Sequence, residues 1–242
     1  MTNALLTNAR LIDPEAGTET SGWLRIEAGC IAEVGDGPRY GGRDCGGLCL
    51  APGIVDIGVK VGEPGERHKE SFRSAGAAAA AGGVTTIVTR ADTIPAIDAP
   101  ETLAFVRRAA EVAPVRVHPM AALTHGREGR AMTEIGFLMD AGALAFSDGD
   151  AVTRDARVLS RCMAYASGLG ALVMTHVQEP TLSDGAVATS GKLASLKGLP
   201  AAPAMAERIG LARDLALAEM TGVRLHVDQV TTAAAVEELR RA

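Results

Sequence analysis

Hydrophobic and polar positions follow two rhythms along this chain, and the rhythm changes near residue 51. Before that point the apolar stretches are short and broken by turns. Ala4–Ile12 runs into Asp13-Pro14, a turn opener. Trp23-Leu24-Arg25-Ile26 alternates apolar with polar, and Gly29 turns the chain into Cys30–Val34. Gly41-Gly42 and Gly46-Gly47 mark further turns. Residues 1–50 therefore read as a small β-rich unit.

From residue 51 the pattern becomes strand, loop, helix. The candidate strands are Ile54–Lys60, Thr85–Arg90, Val115–Leu123, Ala143–Ser147, Ala171–Val177 and Val223–Val230. Most are nearly continuous apolar runs, as parallel strands buried on both faces should be. Helices are predicted over Ser71–Ala81, Pro100–Glu111, Arg154–Gly168, Ala204–Met220 and Thr232–Arg241. Gly82-Gly83 offers a helix stop, and Pro100 suits a helix start. Repeated strand–helix units imply parallel β/α architecture. About six units fit into residues 51–242, whereas a closed (β/α)8 barrel needs eight and typically about 250 residues. On this reading the open strand edges belong to a fragment or are covered by another chain, because a bare parallel edge invites aggregation.

Composition narrows the picture. The chain has 242 residues, room for one large domain or two small ones. It is 47% hydrophobic but only 3% aromatic, so the core must be built from Ala, Val, Leu and Ile. A net charge of −5 argues against general nucleic-acid binding, which needs a basic face. No apolar run approaches the length of a membrane span, and Met1–Leu6 lacks the basic and apolar regions of a secretory leader. Cys30, Cys45, Cys49 and Cys162 form no CxxC pair and read as free thiols in a reducing cytoplasm.

Several motifs then occur in order. Pro52-Gly53-Ile54-Val55-Asp56 precedes Gly58, Lys60 and Gly62, followed by Glu63-Pro64-Gly65 and Lys69-Glu70. Ala79–Thr86 reads AAAGGVTT, Gly142–Asp148 reads GALAFSD, and Met174-Thr175-His176 and Leu225–Thr232 follow. This set resembles the dihydroorotases of the amidohydrolase superfamily. The resemblance covers nearly the whole chain. It implies a TIM-type (β/α)8 amidohydrolase barrel over 51–242, incomplete at about six units, and half of a small β-sandwich over 1–50.

The resemblance also implies a zinc site, and here the chain departs from the pattern. The two first-strand histidines fall on Gly58 and Lys60, and the arginine that clamps the substrate carboxylate falls on Gly62. A glycine side chain has no donor, and a cationic lysine repels a dication. The loop asparagine falls on Asp92, which would repel an anionic substrate; the bridging aspartate falls on Gly149 and the strand-six histidine on Gln229. Only the strand-five histidine survives, as His176, a vestigial ligand or a strand-end histidine held by local hydrogen bonds. The family's strand-eight catalytic aspartate has no counterpart within these residues. Catalytic zinc needs about three protein ligands and an open position for water. No catalytic, substrate-binding or metal-binding residue and no cofactor are therefore expected.

Local readings remain beside this one. Lys60 is a new base or Schiff-base lysine, or it pairs with Asp92, Asp148 or Glu63 in the space a metal would fill. Asp148, Asp150, His176 and Glu179 form an oxygen-rich cation site or are solvated loop residues. His226 lies three residues before the ligand position, an odd offset that turns it to the other strand face. His68, His118 and His125 match no ligand position, and Arg240-Arg241 reads as a solvated helix end. The pattern of preserved turns and lost chemistry resembles dihydroorotase-like pseudoenzymes that are retained in pyrimidine biosynthesis as partners of aspartate carbamoyltransferase. It implies a cytoplasmic homo-oligomer or hetero-complex, with no nucleic acid and no membrane. Alternatives are a cyclic-amide hydrolase, dihydroorotase-like or hydantoinase-like, with a rebuilt site, or a truncated piece of one.

Overall fold

A computed structural model describes residues 3–242. Contacts divide the chain into two compact units, one ending at Ile54 and one spanning Val55–Ala242. The first holds β1 (Ala4–Asp13), β2 (Thr18–Glu27), β3 (Cys30–Asp36), β4 (Arg43–Asp44) and β5 (Cys49–Leu50). They form one sheet in the order β3-β2-β1-β4, with β5 also on β1. β1, β2 and β3 are antiparallel neighbours, while β4 and β5 run parallel to β1. Thr7, Ala9 and Leu11 alternate onto one buried face of β1. Trp23 fills the space above Gly35, where a β-carbon would stand 2.4 Å from the indole ring.

The second unit carries β6 (Ile54–Val59), β7 (Val84–Thr89), β8 (Arg116–Pro119), β9 (Leu172–Thr175), β10 (Ala188–Thr189), β11 (Ala201–Ala202) and β12 (Arg224–Val227). Its helices are α1 (Phe72–Ala81), α2 (Pro100–Ala110), α3 (Ile135–Asp140), α4 (Ala156–Gly168), α5 (Lys192–Leu196), α6 (Ala204–Thr221) and α7 (Ala233–Leu239), with a 3-10 turn at His125–Arg127. β6, β7 and β8 are neighbours in that order, and β9 pairs with β12 in parallel. Phe146 joins the two groups through parallel bridges to Ala121 and Val173. Six segments thus lie side by side in chain order. β10 and β11 form a separate two-stranded ribbon.

Helix ends follow local chemistry. The Ser71 hydroxyl accepts from the Ser74 amide and the Ser74 hydroxyl accepts from the Ser71 amide, a reciprocal cap on α1. Pro100 opens α2, with Glu101 in its first turn and Arg107 and Arg108 in its last, each placed favourably on the helix dipole. Asp155 caps α4, Thr232 caps α7, and Gly222 closes α6 in the left-handed conformation. Between sheet and helices, Phe72, Leu103, Val106, Leu123, Leu138, Phe146, Leu159 and Val173 form one apolar core. A second layer of Val88, Met120, Ala145 and Met174 packs separately from this core.

Sequence and structure part at several edges. The expected strand Ala143–Ser147 shrinks to the single bridging residue Phe146, and Val115–Leu123 shortens to β8. Beyond β8 the chain bends to make loop contacts, with the Met120 amide donating to Thr89 and the Ala122 amide to Ile97. The expected helix from Arg154 starts at Ala156, because Asp155 serves as its cap. α3, α5 and the β10–β11 ribbon were not expected. They are too short for periodicity to declare them. No helix among the described residues is long and apolar enough to cross a membrane.

Candidate functional site

Charged side chains gather where the strands of the second unit end. Lys60 follows β6, Arg90 and Asp92 follow β7, Asp148 and Asp150 follow the Phe146 bridge, His176 follows β9 and Asp228 follows β12. In β/α barrels this end is where loops carry chemistry. Strand alternation sets the facing. His226 is in register with Met174, so Asp228, two residues on, comes opposite His176.

A chain of alternating charges spans the site. Lys60 Nζ lies 3.2 Å from Asp92 Oδ2, and Arg90 Nη2 lies 3.3 Å from the same oxygen. Arg90 Nη2 also lies 3.3 Å from Asp150 Oδ1, which receives Arg127 Nη2 at 2.5 Å. The Asp92 side chain is 1% exposed and that of Arg90 13%, whereas that of Lys60 is 53% exposed. Neither Asp92 oxygen has a well-angled hydrogen bond, so these are charge contacts rather than directed ones. Burial raises the Asp150 carboxyl, but Arg90 and Arg127 outweigh it and hold the group below the usual range.

Asp148 has a different role. Its Oδ1 accepts from the Leu123 and Thr124 amides at 3.0 and 2.9 Å, and its Oδ2 from the Thr124 hydroxyl at 2.7 Å. Burial pushes its carboxyl up despite those donors. It ties the loop after β8 to the Phe146 segment. Arg127 Nε donates to the Asp148 carbonyl at 2.8 Å and locks the same junction.

At the far side, His176 Nδ1 stands 3.7 Å from Asp228 Oδ2. The other Asp228 oxygen lies 3.2 Å from where a β-carbon on Gly58 would be. Gly58 has φ +91°, a conformation that favours glycine. Gly62 has no room for a side chain, since a β-carbon would stand 2.6 Å from the Glu66 carbonyl oxygen. Gly149 has φ +66°, and a β-carbon there would stand 2.8 Å from Arg90 Nη2. Arg90 thus lies over the position where the resemblance places a bridging carboxylate.

These positions meet the expectations unevenly. Lys60 takes Asp92 as its partner, not Asp148 or Glu63; Glu63 instead pairs with Arg67 and accepts from the Phe72 amide. The supposed cluster of Asp148, Asp150, His176 and Glu179 does not converge. Asp148 is consumed by the loop, Asp150 by two arginines, and Glu179 by the Thr181 and Leu182 amides of its own turn. Gln229 is exposed beyond the end of β12 and does not face His176. Asp228, Arg90 and Arg127 were missed. The signal for Asp228 was its even spacing from His226, and for Arg90 its even spacing from Asp92. Arg127 had no local signal, because it reaches the site from a distant turn.

The sequence matches the family described as dihydro-orotase-like over residues 47–235. The chain belongs to the dihydroorotase-like family. A "Dihydroorotase-like protein" of Pseudomonas putida is 38% identical over 250 residues, covering 100% of this chain and 58% of that protein. A "Dihydroorotase" of Syntrophus aciditrophicus is 36% identical over 244 residues, covering 98% and 57% respectively. The chain thus spans somewhat over half the length of these relatives. Among solved structures, an L-hydantoinase of Arthrobacter aurescens superposes with a TM-score of 0.81 at 21% identity, over 100% of this chain and 56% of that one. That likeness establishes an amidohydrolase, TIM-barrel type of fold.

Dihydroorotase-like proteins are typically metal-dependent. The donors at this site do not fit a zinc ion. Gly58 and Gly149 supply none, the Lys60 ammonium is bound to Asp92, and the Asp228 carboxylate and Arg90 guanidinium occupy the space beside the two glycines.

Proposed function

We propose that this chain is a non-catalytic dihydroorotase-like protein of pyrimidine metabolism, a pseudoenzyme that serves as an assembly partner of aspartate carbamoyltransferase. The observation that carries the reading is the Lys60–Asp92–Arg90–Asp150–Arg127 chain. It fills the strand ends with alternating, paired charge, where a hydrolase of this family keeps a metal and an anion clamp. Without a metal-bound water a ring amide meets no nucleophile. The Pseudomonas relatives that share the dihydroorotase-like name add support.

On this reading the second unit forms six of the eight units of a barrel, and the sheet of β1–β5 forms half of a sandwich. Val55 and Ile57 of β6 are 55% and 44% exposed, which is unusual for a barrel strand. The seam between β6 and β12 is then an assembly surface, closed by further chain or by a partner. Homo-oligomers or the hetero-complex are the stable state.

A second reading, a cyclic-amide hydrolase with a rebuilt site, draws on the relatives named dihydroorotase and on the hydantoinase neighbours. One experiment separates the two. The purified protein is dialysed, its metal content measured, and dihydroorotate and hydantoin hydrolysis assayed with and without added zinc, alone and with aspartate carbamoyltransferase. The pseudoenzyme reading expects no retained zinc, no turnover, and co-elution with the transferase. Zinc-dependent turnover above a mock purification overturns it.

A further inference from the structure

α6 carries apolar side chains on its outward face as well as its inward one. Ala206, Gly210 and Leu211 are buried on the inward face. Gly210 marks the closest approach, since a β-carbon there would stand 2.6 Å from the Gln178 backbone. Met205, Ile209, Ala212, Ala216 and Met220 form the outward stripe, spaced by four, three, four and four residues, as one face of a helix requires. Met205, Ile209 and Met220 are 46%, 43% and 65% exposed, and both alanines are exposed too. At 1.5 Å per residue the stripe runs about 22 Å along the helix. A surface helix ordinarily turns charge outwards, so an apolar outer face of this length marks a contact surface.

The order of sizes along the stripe fits a second copy of the same helix. Met205 and Ile209 stand towards one end, Met220 stands at the other, and Ala212 and Ala216 lie between. Two copies laid antiparallel about a two-fold axis near Ala212 make a self-complementary contact. Met205 comes opposite Met220 of the second copy, Ile209 opposite Ala216, and Ala212 opposite its own counterpart. Alanines at the centre let the two helices approach to the close end of the usual spacing, about 8 Å between axes. Ile209 then fills the space above Ala216 of the second copy.

Charge agrees with that register. Arg208 and Glu219 lie three helical turns apart on one flank of the stripe, the flank next to α7. There Arg208 Nε is 3.3 Å from Glu238 Oε2, and Glu219 and Glu238 line a groove of about 650 Å³ with Ala212 and Ala216. A two-fold axis across α6 keeps this flank on the same side in both copies. It brings Arg208 of each copy towards Glu219 of the other, and the half-exposed guanidinium has donors to spare beside Glu238. Parallel pairing would carry the two flanks to opposite sides, where these charges do not meet. We propose that α6 is a homodimer contact in which two copies pack their Met205–Met220 stripes antiparallel, with Arg208–Glu219 ion pairs at the rim. The surface is separate from the exposed edge of β6, and it is independent of whether the protein hydrolyses anything.

Analytical ultracentrifugation over a range of concentrations tests this, in a chain carrying Val55→Lys and Ile57→Lys so that the β6 edge is charged. That chain should still form dimers. Ala212→Lys sets two like charges together at the axis and should weaken the dimer about 100-fold. Glu219→Arg should weaken it as well, and Arg208→Glu added to Glu219→Arg should restore it. Register is read by cross-linking, with Cys30, Cys45 and Cys49 replaced by serine. Ala212→Cys should form a disulfide-linked dimer on mild oxidation. Met205→Cys should not link to itself but should link to Met220→Cys when the two variants are mixed. A monomer at every concentration, or a dimer indifferent to Ala212→Lys and to the charge exchange, overturns the proposal. So does Ala212→Lys abolishing co-elution with aspartate carbamoyltransferase while self-association is unchanged, which would give the face to the transferase.

Discussion

Asp228 lies against Gly58: its Oδ1 is 3.2 Å from the point where a β-carbon would extend from that glycine. The contact joins the first and last strands of the second unit's sheet order at the height of His176. The absence of a side chain at position 58 leaves room, and the Asp228 carboxylate uses it. The pair behaves as a structural replacement, so each residue should be intolerant of restoring the other pattern.

Gly58→Ala should therefore destabilise the protein, because φ +91° disfavours any β-carbon and the carboxylate must shift. The expected loss is about 1–2 kcal/mol, mostly from the backbone conformation. Urea unfolding checks it, and Asp228→Ala in the same background should recover only part. The double variant Gly58→His, Lys60→His should bind zinc weakly and hydrolyse no dihydroorotate, because Gly149 and Gly62 still supply neither ligand nor clamp. Recovered turnover would show a more intact site than the geometry allows.

Asp92→Ala should cost about 3 kcal/mol, the scale for removing one partner from a buried pair. It leaves Arg90, whose side chain is 13% exposed, with only the largely exposed Asp150 as a partner. Lys60→Met should change stability by under about 1 kcal/mol, since the lysine is half exposed and its pairing is solvent-screened. Similar losses from both substitutions would mean that Lys60, not Arg90, is the main partner.

Glu207 gives a pH signature. It accepts from the amides of Thr231 and Thr232, each at 2.7 Å, and from both hydroxyls, fixing the loop between β12 and α7. Burial raises its carboxyl, but the Thr232 hydroxyl and the other donors outweigh it and hold the group below its ordinary value of 4.5. A carboxyl depressed in the folded state adds stability that is present above pH 4.5 and lost as pH falls through the folded value. Glu207→Gln should thus cost about 1–3 kcal/mol at neutral pH, with the gap to wild type closing in acid. A gap constant from pH 7 to pH 3 would remove the carboxylate from this role.

The exposed outer edge of β6 should govern assembly. Light scattering of the chain by itself should report multimers, and Val55→Lys with Ile57→Lys should reduce their size by charging the edge. A monodisperse monomer before substitution would refute the assembly reading in its present form.

Cysteine chemistry adds little to these expectations. Cys162 is buried in α4 and its thiol is pushed up to about 12, chiefly by burial, so it is inert packing. Cys30 and Cys49 are exposed free thiols.

Local patterns that repeat were readable along the chain. Apolar-rich runs marked β6, β7 and β9 and the alternating pattern of β12, and caps such as Ser71, Pro100 and Thr232 marked helix starts, because strand burial and capping depend on near neighbours in sequence. The motif order pointed to the family for the same reason. A glycine or lysine standing where the resemblance implies a ligand also declares its side-chain chemistry in the sequence.

Partnerships were decided only in three dimensions. Nothing in the sequence chose Asp92 over Asp148 or Glu63 for Lys60; the strand spacing that sets Lys60 beside Asp92, and the loop amides that consume Asp148, made that choice. Arg127 enters from a 3-10 turn, so it shares no segment with the Asp148 and Asp150 groups it meets. The sequence by itself determined which residues could bear charge and where most of the longer strands and helices lie. The tertiary structure decided which charges face each other, because an ion pair or a buried cavity is set by the distance between segments far apart in the chain, and local pattern carries no record of that distance.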